Sequence, residues 1–235
     1  QGLHTGDGEH DAQRDPYGGG AVIIPNENII GKIVVFGSSE TAGNNPFDYY
    51  DGTTFSTEWT FKYTANDLPG GVTAGATYGI DKDRFRITED PRILIQDIAA
   101  VGSAMTSDDS WAIYMNGYQY IQGDESHGWG LFGRLGFSDG EANPIDWHAA
   151  GGIGGVGLIP GRDQDRWGLG AYYQEFDNNG ILAALNVDSE VGGELFYNFQ
   201  LTPATNVTFD LQVIDSALPR SETAVVGGLR VGVRF

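Results

Sequence analysis

From about residue 28 to the end, hydrophobic and polar side chains alternate one by one along segments of about ten residues. Alternation with period two marks β-strands, because successive side chains point to opposite faces. In 190–200, Val191, Leu195, Tyr197 and Phe199 oppose Glu190, Glu194, Phe196, Asn198 and Gln200. In 205–213, Val207, Phe209, Leu211 and Val213 oppose Asn206, Thr208, Asp210 and Gln212. In 225–235, Val225, Leu229, Val231, Val233 and Phe235 oppose Arg230 and Arg234. Earlier, Leu131, Leu135 and Phe137 oppose Arg134, and Phe55, Trp59, Phe61 and Tyr63 oppose Glu58 and Lys62.

The pattern predicts ten strands, near 28–38, 53–65, 71–81, 110–122, 128–138, 145–158, 166–176, 190–200, 204–214 and 223–235. Their separators are turn-rich: NDLPGG, SDGEANP, PGRDQD, FDNNG and LTPAT. Residues 1–20 read as a flexible lead-in, and 21–235 as one β-domain. Ile93–Ala104 is the best helix candidate, but it reads equally as a short strand or packed loop. No repeat of fixed period is present.

Strands of about eleven residues exceed the usual mode of about 5–6. They match the roughly 9–11 residues that a tilted strand needs to cross a bilayer. A soluble sandwich would also alternate, with its apolar face buried. Two features favour a membrane barrel. Aromatics recur near strand ends: Trp59 and Tyr63, Trp111 and Tyr120, Trp129 and Phe137, Trp167 and Tyr173, Tyr197 and Phe199. Two interfacial girdles produce that spacing. Short turns (66–70, 123–127, 201–203) also alternate with links that include long ones (82–109, 177–189). Barrels of the outer membrane have short turns on the periplasmic side and longer loops outside. The expected fold is therefore all-β, an antiparallel transmembrane β-barrel of outer-membrane type. An even count of strands would put both ends on the periplasmic side.

Composition narrows the function. The 235 residues carry 32 acids against 13 bases, a formal charge of -19. Such a chain is no general nucleic-acid binder, since phosphate calls for Lys and Arg. Zero Cys excludes disulfides, thiolate metal sites and cysteine nucleophiles. His4, Glu9, His10 and Asp11 lie in the lead-in, where a solvated acidic tail is the simpler reading than a metal site. Asp139-Gly140 and Asp163-Gln-Asp165 look like pieces of Ca²⁺ loops, but without the spacing or terminal Glu of an EF-hand. No metal or cofactor is expected. His127 and His148 are the only histidines in the strand region, and a girdle or wall position suits His148, beside Trp147, better than catalysis.

The middle and end of the chain resemble the carbohydrate-selective porins, the OprB family of Gram-negative outer membranes. The residues that carry the resemblance begin with Ser110-Trp-Ala-Ile-Tyr, Asn116 and Gln119-Tyr120. Gly130-Leu-Phe-Gly-Arg134-Leu-Gly-Phe-Ser-Asp-Gly140, Asn143-Pro144 and Trp147 follow. Next come Gly154-Gly-Val-Gly-Leu-Ile-Pro-Gly-Arg162 and Asp165-Arg166-Trp-Gly-Leu-Gly170. The end adds Glu194-Leu-Phe-Tyr197, Thr202-Pro203, Asp210-Leu-Gln212, Gly228-Leu-Arg230 and Phe235. The resemblance covers roughly 50–235 and is most specific over 128–170. It implies a sixteen-stranded barrel, whereas this chain has room for about ten strands. The chain reads as the C-terminal portion of a longer porin, or else as a smaller closed barrel. About eight strands leave little more than side-chain filling, while 16–18 leave an aqueous channel.

A porin breaks no bonds, so no enzyme is expected; it supplies a wet path with binding weak enough to release the solute. The inward set by parity is Glu58, Lys62, Asn116, Arg134, Arg166, Glu194, Asn198, Asp210, Gln212, Arg230 and Arg234. Tyr114, Tyr118, Phe132 and Phe196 are inward aromatics suited to stacking on sugar rings. The resemblance adds Arg162 and Asp165 at a mouth or turn. An inward charge serves a cross-strand ladder as readily as a solute, and both roles stay open. Gly130, Gly136, Gly152, Gly154, Gly168, Gly170 and Gly192 read as sites of strand curvature or of space for inward loops. Phe235 would be the assembly signal read by the barrel assembly machinery. Expected partners are sugars or small polar solutes and outer-membrane lipid, and a homotrimer is compatible with the resemblance. The alternatives are a soluble or surface-exposed all-β carbohydrate-binding protein and a small closed structural barrel without a pore.

Overall fold

The computed structural model describes residues 18–37, 52–85, 106–124, 126–140 and 143–234. Phe235, the Ile93–Ala104 segment and His4, Glu9, His10 and Asp11 lie outside them. The described residues form one eleven-stranded sheet in which each strand pairs with the next in sequence order. The strands are β1 Gly18–Asn26, β2 Ile29–Gly37, β3 Thr53–Ala65, β4 Leu68–Phe85, β5 Thr106–Gly123 and β6 Gly128–Ser138. They continue with β7 Ile145–Val156, β8 Arg166–Phe176, β9 Ser189–Thr202, β10 Thr205–Asp215 and β11 Ala224–Val233. One short helix, α1 (Gly180–Leu185), sits in the link between β8 and β9.

The count corrects the expected ten. The added strand, β1, takes residues 18–20 from the expected lead-in. Its sequence GGGAVIIPN has no period-two signal, because three glycines precede an unbroken apolar run. All pairings are antiparallel. With an odd number of strands, β1 and β11 run in the same direction. An all-antiparallel barrel that contains these eleven therefore needs an odd number of further strands. Among the described residues, β1 pairs only with β2 and β11 only with β10, so the sheet is open.

Turn chemistry explains the short connections. Asn66 and Asp67 join β3 to β4 with φ of 52° and 61°. Positive φ at both central residues matches the twist of a two-residue hairpin, and Asn and Asp tolerate it best outside Gly. The β1–β2 turn is held by Asn28 N donating to Asn26 Oδ1 at 2.9 Å. Short turns (27–28, 66–67, 124–127, 203–204) and the 157–165 link lie at one end of the sheet. Links 38–52, 86–105, 139–144, 177–188 and 216–223 join the strands at the other.

The two faces differ as the parity predicts. Tyr114 and Asn116 on β5 share a face, while Trp111, Ile113 and Met115 point the other way and are exposed. A bulge between Tyr120 and Gln122 ends this parity and sets Gln122 opposite Trp129. The apolar side chains buried among the described residues are Val187 and Ala217, both in links. Val225, Leu229 and Val231 are 68%, 67% and 61% exposed. A soluble sandwich would have withdrawn such side chains from water. Here the sheet has no interior of its own, so its apolar face requires a non-aqueous partner.

Aromatic rows frame that face. Near the long-link end stand Trp111, Phe137, Trp147 and Tyr173, with Trp147 stacked on Tyr173 at 4.9 Å. Near the short-turn end stand Tyr63, Trp129, Trp167, Tyr197 and Phe199. Trp129 and Phe137 lie on one strand, about 26 Å apart at roughly 3.3 Å per residue. At a tilt of about 35–45° that span covers roughly 20 Å along the membrane normal, most of the apolar band of roughly 25 Å found on membrane barrels.

Candidate solute-binding face

Strand register converts the polar face into rows. Lys62, Gly71, Tyr118, Phe132, Gly152, Gly170, Glu194 and Gln212 lie side by side from β3 to β10. A neighbouring row holds Thr73, Asn116, Arg134, Ala150 and Tyr172. Another holds Lys32, Glu58, Gly75, Tyr114, Gly136, His148, Gln174 and Glu190. Toward the short turns come Gly130, Gly154, Gly168, Phe196 and Asp210, then Arg166, Asn198, Thr208 and Arg230. All ten candidates from Glu58 to Arg230 thus occupy one face. Arg234 lies past the end of β11, where its backbone N–H donates to Ala204 O at 2.8 Å.

The charges form separate clusters. Lys32 Nζ stands 2.8 Å from Glu58 Oε1, and Tyr114 O–H donates to Glu58 Oε2 at 2.5 Å. Arg134 Nε donates to Asn116 Oδ1 at 2.8 Å. Glu194 and Asp210 are within hydrogen-bonding reach of each other, and Arg230 is close enough to interact with Glu194. Asn198 Nδ2 donates to Thr208 Oγ1 at 2.6 Å. Tyr172 O–H and Gln174 Nε2 both donate to Glu190 Oε1, at 2.8 and 3.2 Å. The sequence reading counts Glu190 on this face without making it a site residue, and it does not single out Lys32 or Tyr172, although parity alone puts them here too.

Glycine and aromatic residues interlock on the same wall. A Cβ on Gly71 would lie 2.7 Å from the Tyr118 ring, and one on Gly75 would lie 2.4 Å from the Tyr114 ring. The Phe196 ring covers Gly168 at 2.5 Å and the Tyr172 ring covers Gly192 at 2.4 Å by the same measure. Gly152 faces both the Leu169 carbonyl and the Phe132 ring. The rings therefore lie flat over bare backbone on the next strand. The sequence reading of Gly152, Gly168 and Gly192 as curvature sites misses this role, because it depends on which residue stands opposite. Recesses lie beside the rings. One of about 460 Å³ is lined by Tyr118, Phe132, Asn116 and Arg134. Another of about 560 Å³ is lined by Tyr118, Phe132, Phe196 and Arg166.

The 157–165 link is closed by Asp165, which is 0% exposed. Arg162 grips it with two N–H groups, at 2.7 and 2.8 Å. Tyr197 O–H and Gln200 N–H also donate to it, each at 2.9 Å. Burial by itself pushes the Asp165 carboxyl up. Arg162, the Gln200 N–H and the Tyr197 O–H outweigh it, so the carboxyl sits below its ordinary range. Arg162 also lies over the Phe199 ring at 5.5 Å. These partners make Asp165 the lock of this link and leave it no access to a solute. His148 stacks on Tyr172 as a wall residue, with ring centres 6.3 Å apart.

Residues 16–235 match the model of the family described as carbohydrate-selective porin, OprB family. No curated protein matches the chain. A high-pH structure of Pseudomonas putida OprB aligns with TM-score 0.76 at 19% identity, over 93% of this chain and 58% of that one. A low-pH structure of the same porin aligns with TM-score 0.60 at 17% identity, over 92% of this chain and 54% of that one. The chain spans little more than half the length of these solved relatives. At such identities the likeness concerns the fold.

Proposed function

This chain belongs to the OprB family of carbohydrate-selective porins, and from that premise we propose that it walls a passive outer-membrane channel for sugars and similar small polar solutes. One observation carries the reading beyond family membership. Flat aromatic rings on the polar face stand next to guanidinium, carboxylate and amide groups. A pyranose has apolar C–H faces and a rim of hydroxyls. Tyr118, Phe132 and Phe196 offer surfaces for the first, and Arg134, Arg166, Asn116 and Glu194 offer partners for the second. Weak contacts of both kinds along a wet wall hold a solute briefly and release it. The mixed signs of Arg134, Arg166, Arg230, Glu58, Glu194 and Asp210 argue against strong selectivity for either ion charge.

The outward apolar belt would face outer-membrane lipid. A homotrimer and recognition by the barrel assembly machinery complete the reading. Removing Phe235 is expected to slow insertion into membranes during in vitro assembly; equal rates with and without it would sink the signal role.

Arg134→Ala is expected to change sugar flux in a liposome-swelling assay by about two- to tenfold, the range for one hydrogen bond of about 0.5–1.5 kcal/mol. Assembly, read as heat-modifiable mobility, should be unaffected. Unchanged flux in a folded variant would remove Arg134 from the path. Single-channel conductance separates the remaining alternatives. A wide aqueous channel conducts, whereas a closed structural barrel or a soluble binding protein gives no open-channel steps.

A further inference from the structure

At the long-link end of the sheet, one carboxylate from the start of β7 and one from the β8–β9 link converge on a bare glycine. Gly140, in the β6–β7 link, is buried and adopts φ of +71°. A Cβ there would lie 2.5 Å from Asp146 Oδ1 and 2.7 Å from Asp177 Oδ2. Asp146 and Asp177 are within hydrogen-bonding reach of each other. Asp177 is 8% exposed, and its Oδ1 is buried without a hydrogen-bond partner among the described residues. The Asp177 N–H donates to Pro144 O at 3.0 Å, which fixes the 177–188 link against the 139–144 link. Glu175 adds further negative potential at Asp146. No described Lys or Arg forms an ion pair with either carboxylate.

Two ionised carboxylates in contact repel each other, and a cation between them would relieve the repulsion. The unpartnered Oδ1 of Asp177 marks where one is missing, and the lack of a Cβ at Gly140 is what lets Asp146 Oδ1 and Asp177 Oδ2 come together. We propose that Asp146 and Asp177 bind a divalent cation, Ca²⁺, that ties the start of β7 to the 177–188 link at the long-link end of the sheet. Ca²⁺ suits the site better than Mg²⁺. It accepts an irregular shell of carboxylate, backbone carbonyl and water oxygens, whereas Mg²⁺ demands near-octahedral geometry. With two protein carboxylates, the affinity belongs to the weak range of extracellular sites, about 10⁻⁴–10⁻³ M.

The test compares thermal unfolding of the detergent-folded protein in Ca²⁺, in Mg²⁺ and in EDTA, at about pH 5 and pH 8. Millimolar Ca²⁺ is expected to raise the melting temperature at pH 8, Mg²⁺ to raise it less, and Asp177→Asn and Asp146→Asn to remove the response. Identical melting in Ca²⁺ and EDTA would overturn the proposal, as would a Ca²⁺ response that Asp177→Asn retains. Stability that follows pH but ignores Ca²⁺ would mean that the two carboxyls share a proton instead, and would also overturn it. If the variants fail to fold, Tb³⁺ emission sensitised by tryptophan in the unsubstituted protein decides. Emission that Ca²⁺ displaces supports the site, and its absence overturns it.

Discussion

Asp165→Ala is expected to destabilise the protein by about 3 kcal/mol, the low end of the range for removing one partner of a buried ion pair. The physical reason is the set of donors that would be stranded. Arg162, Tyr197 O–H and Gln200 N–H all converge on this one carboxylate. Arg162 is 36% exposed and can recover water, which limits the loss. Tyr197 and the Gln200 N–H are less well placed to do so. Urea unfolding followed by heat-modifiable mobility measures the cost, and a loss below about 1 kcal/mol would show that the lock is decorative. Asp165 also sets an acid limit. Its folded pKa lies below the ordinary 3.8. The stabilisation is therefore fully present above that value and fades as pH falls through the folded pKa. Asp165→Asn, which has no proton to gain, should flatten the acid limb of the stability profile. An unchanged acid limb in that variant would assign the acid sensitivity to other carboxylates.

Gly71→Ala is expected to lower sugar flux and conductance by several-fold while leaving insertion intact. The new methyl would stand 2.7 Å from the Tyr118 ring, so the ring must leave the wall and enter the solute path. Overpacking of this kind costs about 1–3 kcal/mol, and a barrier raised by about 1.4 kcal/mol slows passage tenfold. Gly136→Ala is the control on the same face, because its Cβ would meet nothing closer than 3.7 Å. The double variant Gly71→Ala with Tyr118→Ala should regain conductance, since the ring to be displaced is gone. If Gly71→Ala folds and conducts as before, the flat-lying ring does not set the width of the path.

Much of this could be read from residues alone. Glu194, Asn198, Asp210 and Gln212 were placed on one face by counting odd and even positions, and the sheet puts them there. Parity is a local property of an extended chain, so it survives without knowledge of partners. The strand β1 escaped because Gly18–Asn26 has no alternation to count. Parity counted past Tyr120 would put Gln122 on the polar face, but a bulge after Tyr120 sets it opposite Trp129, and a bulge leaves little trace in the residues around it.

Neighbourhood across strands was invisible. The Arg134–Asn116 bond joins residues 18 apart, Lys32–Glu58 joins residues 26 apart, and Tyr114–Glu58 joins residues 56 apart. Asp165 read as a residue of a mouth or turn, and only the arrival of Tyr197 and Gln200 from β9 made it a buried lock. Glycines read as sites of strand curvature or of space for inward loops, and only the opposing strand showed which of them hold an aromatic ring. The residues alone carried the period of two, the alternation of short and long links and the membership of each face, because each is local to one strand or to the link that follows it. The tertiary structure decided register, the aromatic-over-glycine wall and the convergence of Asp146 and Asp177 on Gly140. Those depend on segments far apart in the chain, which come together only when hydrogen-bonded ladders fix one strand against the next.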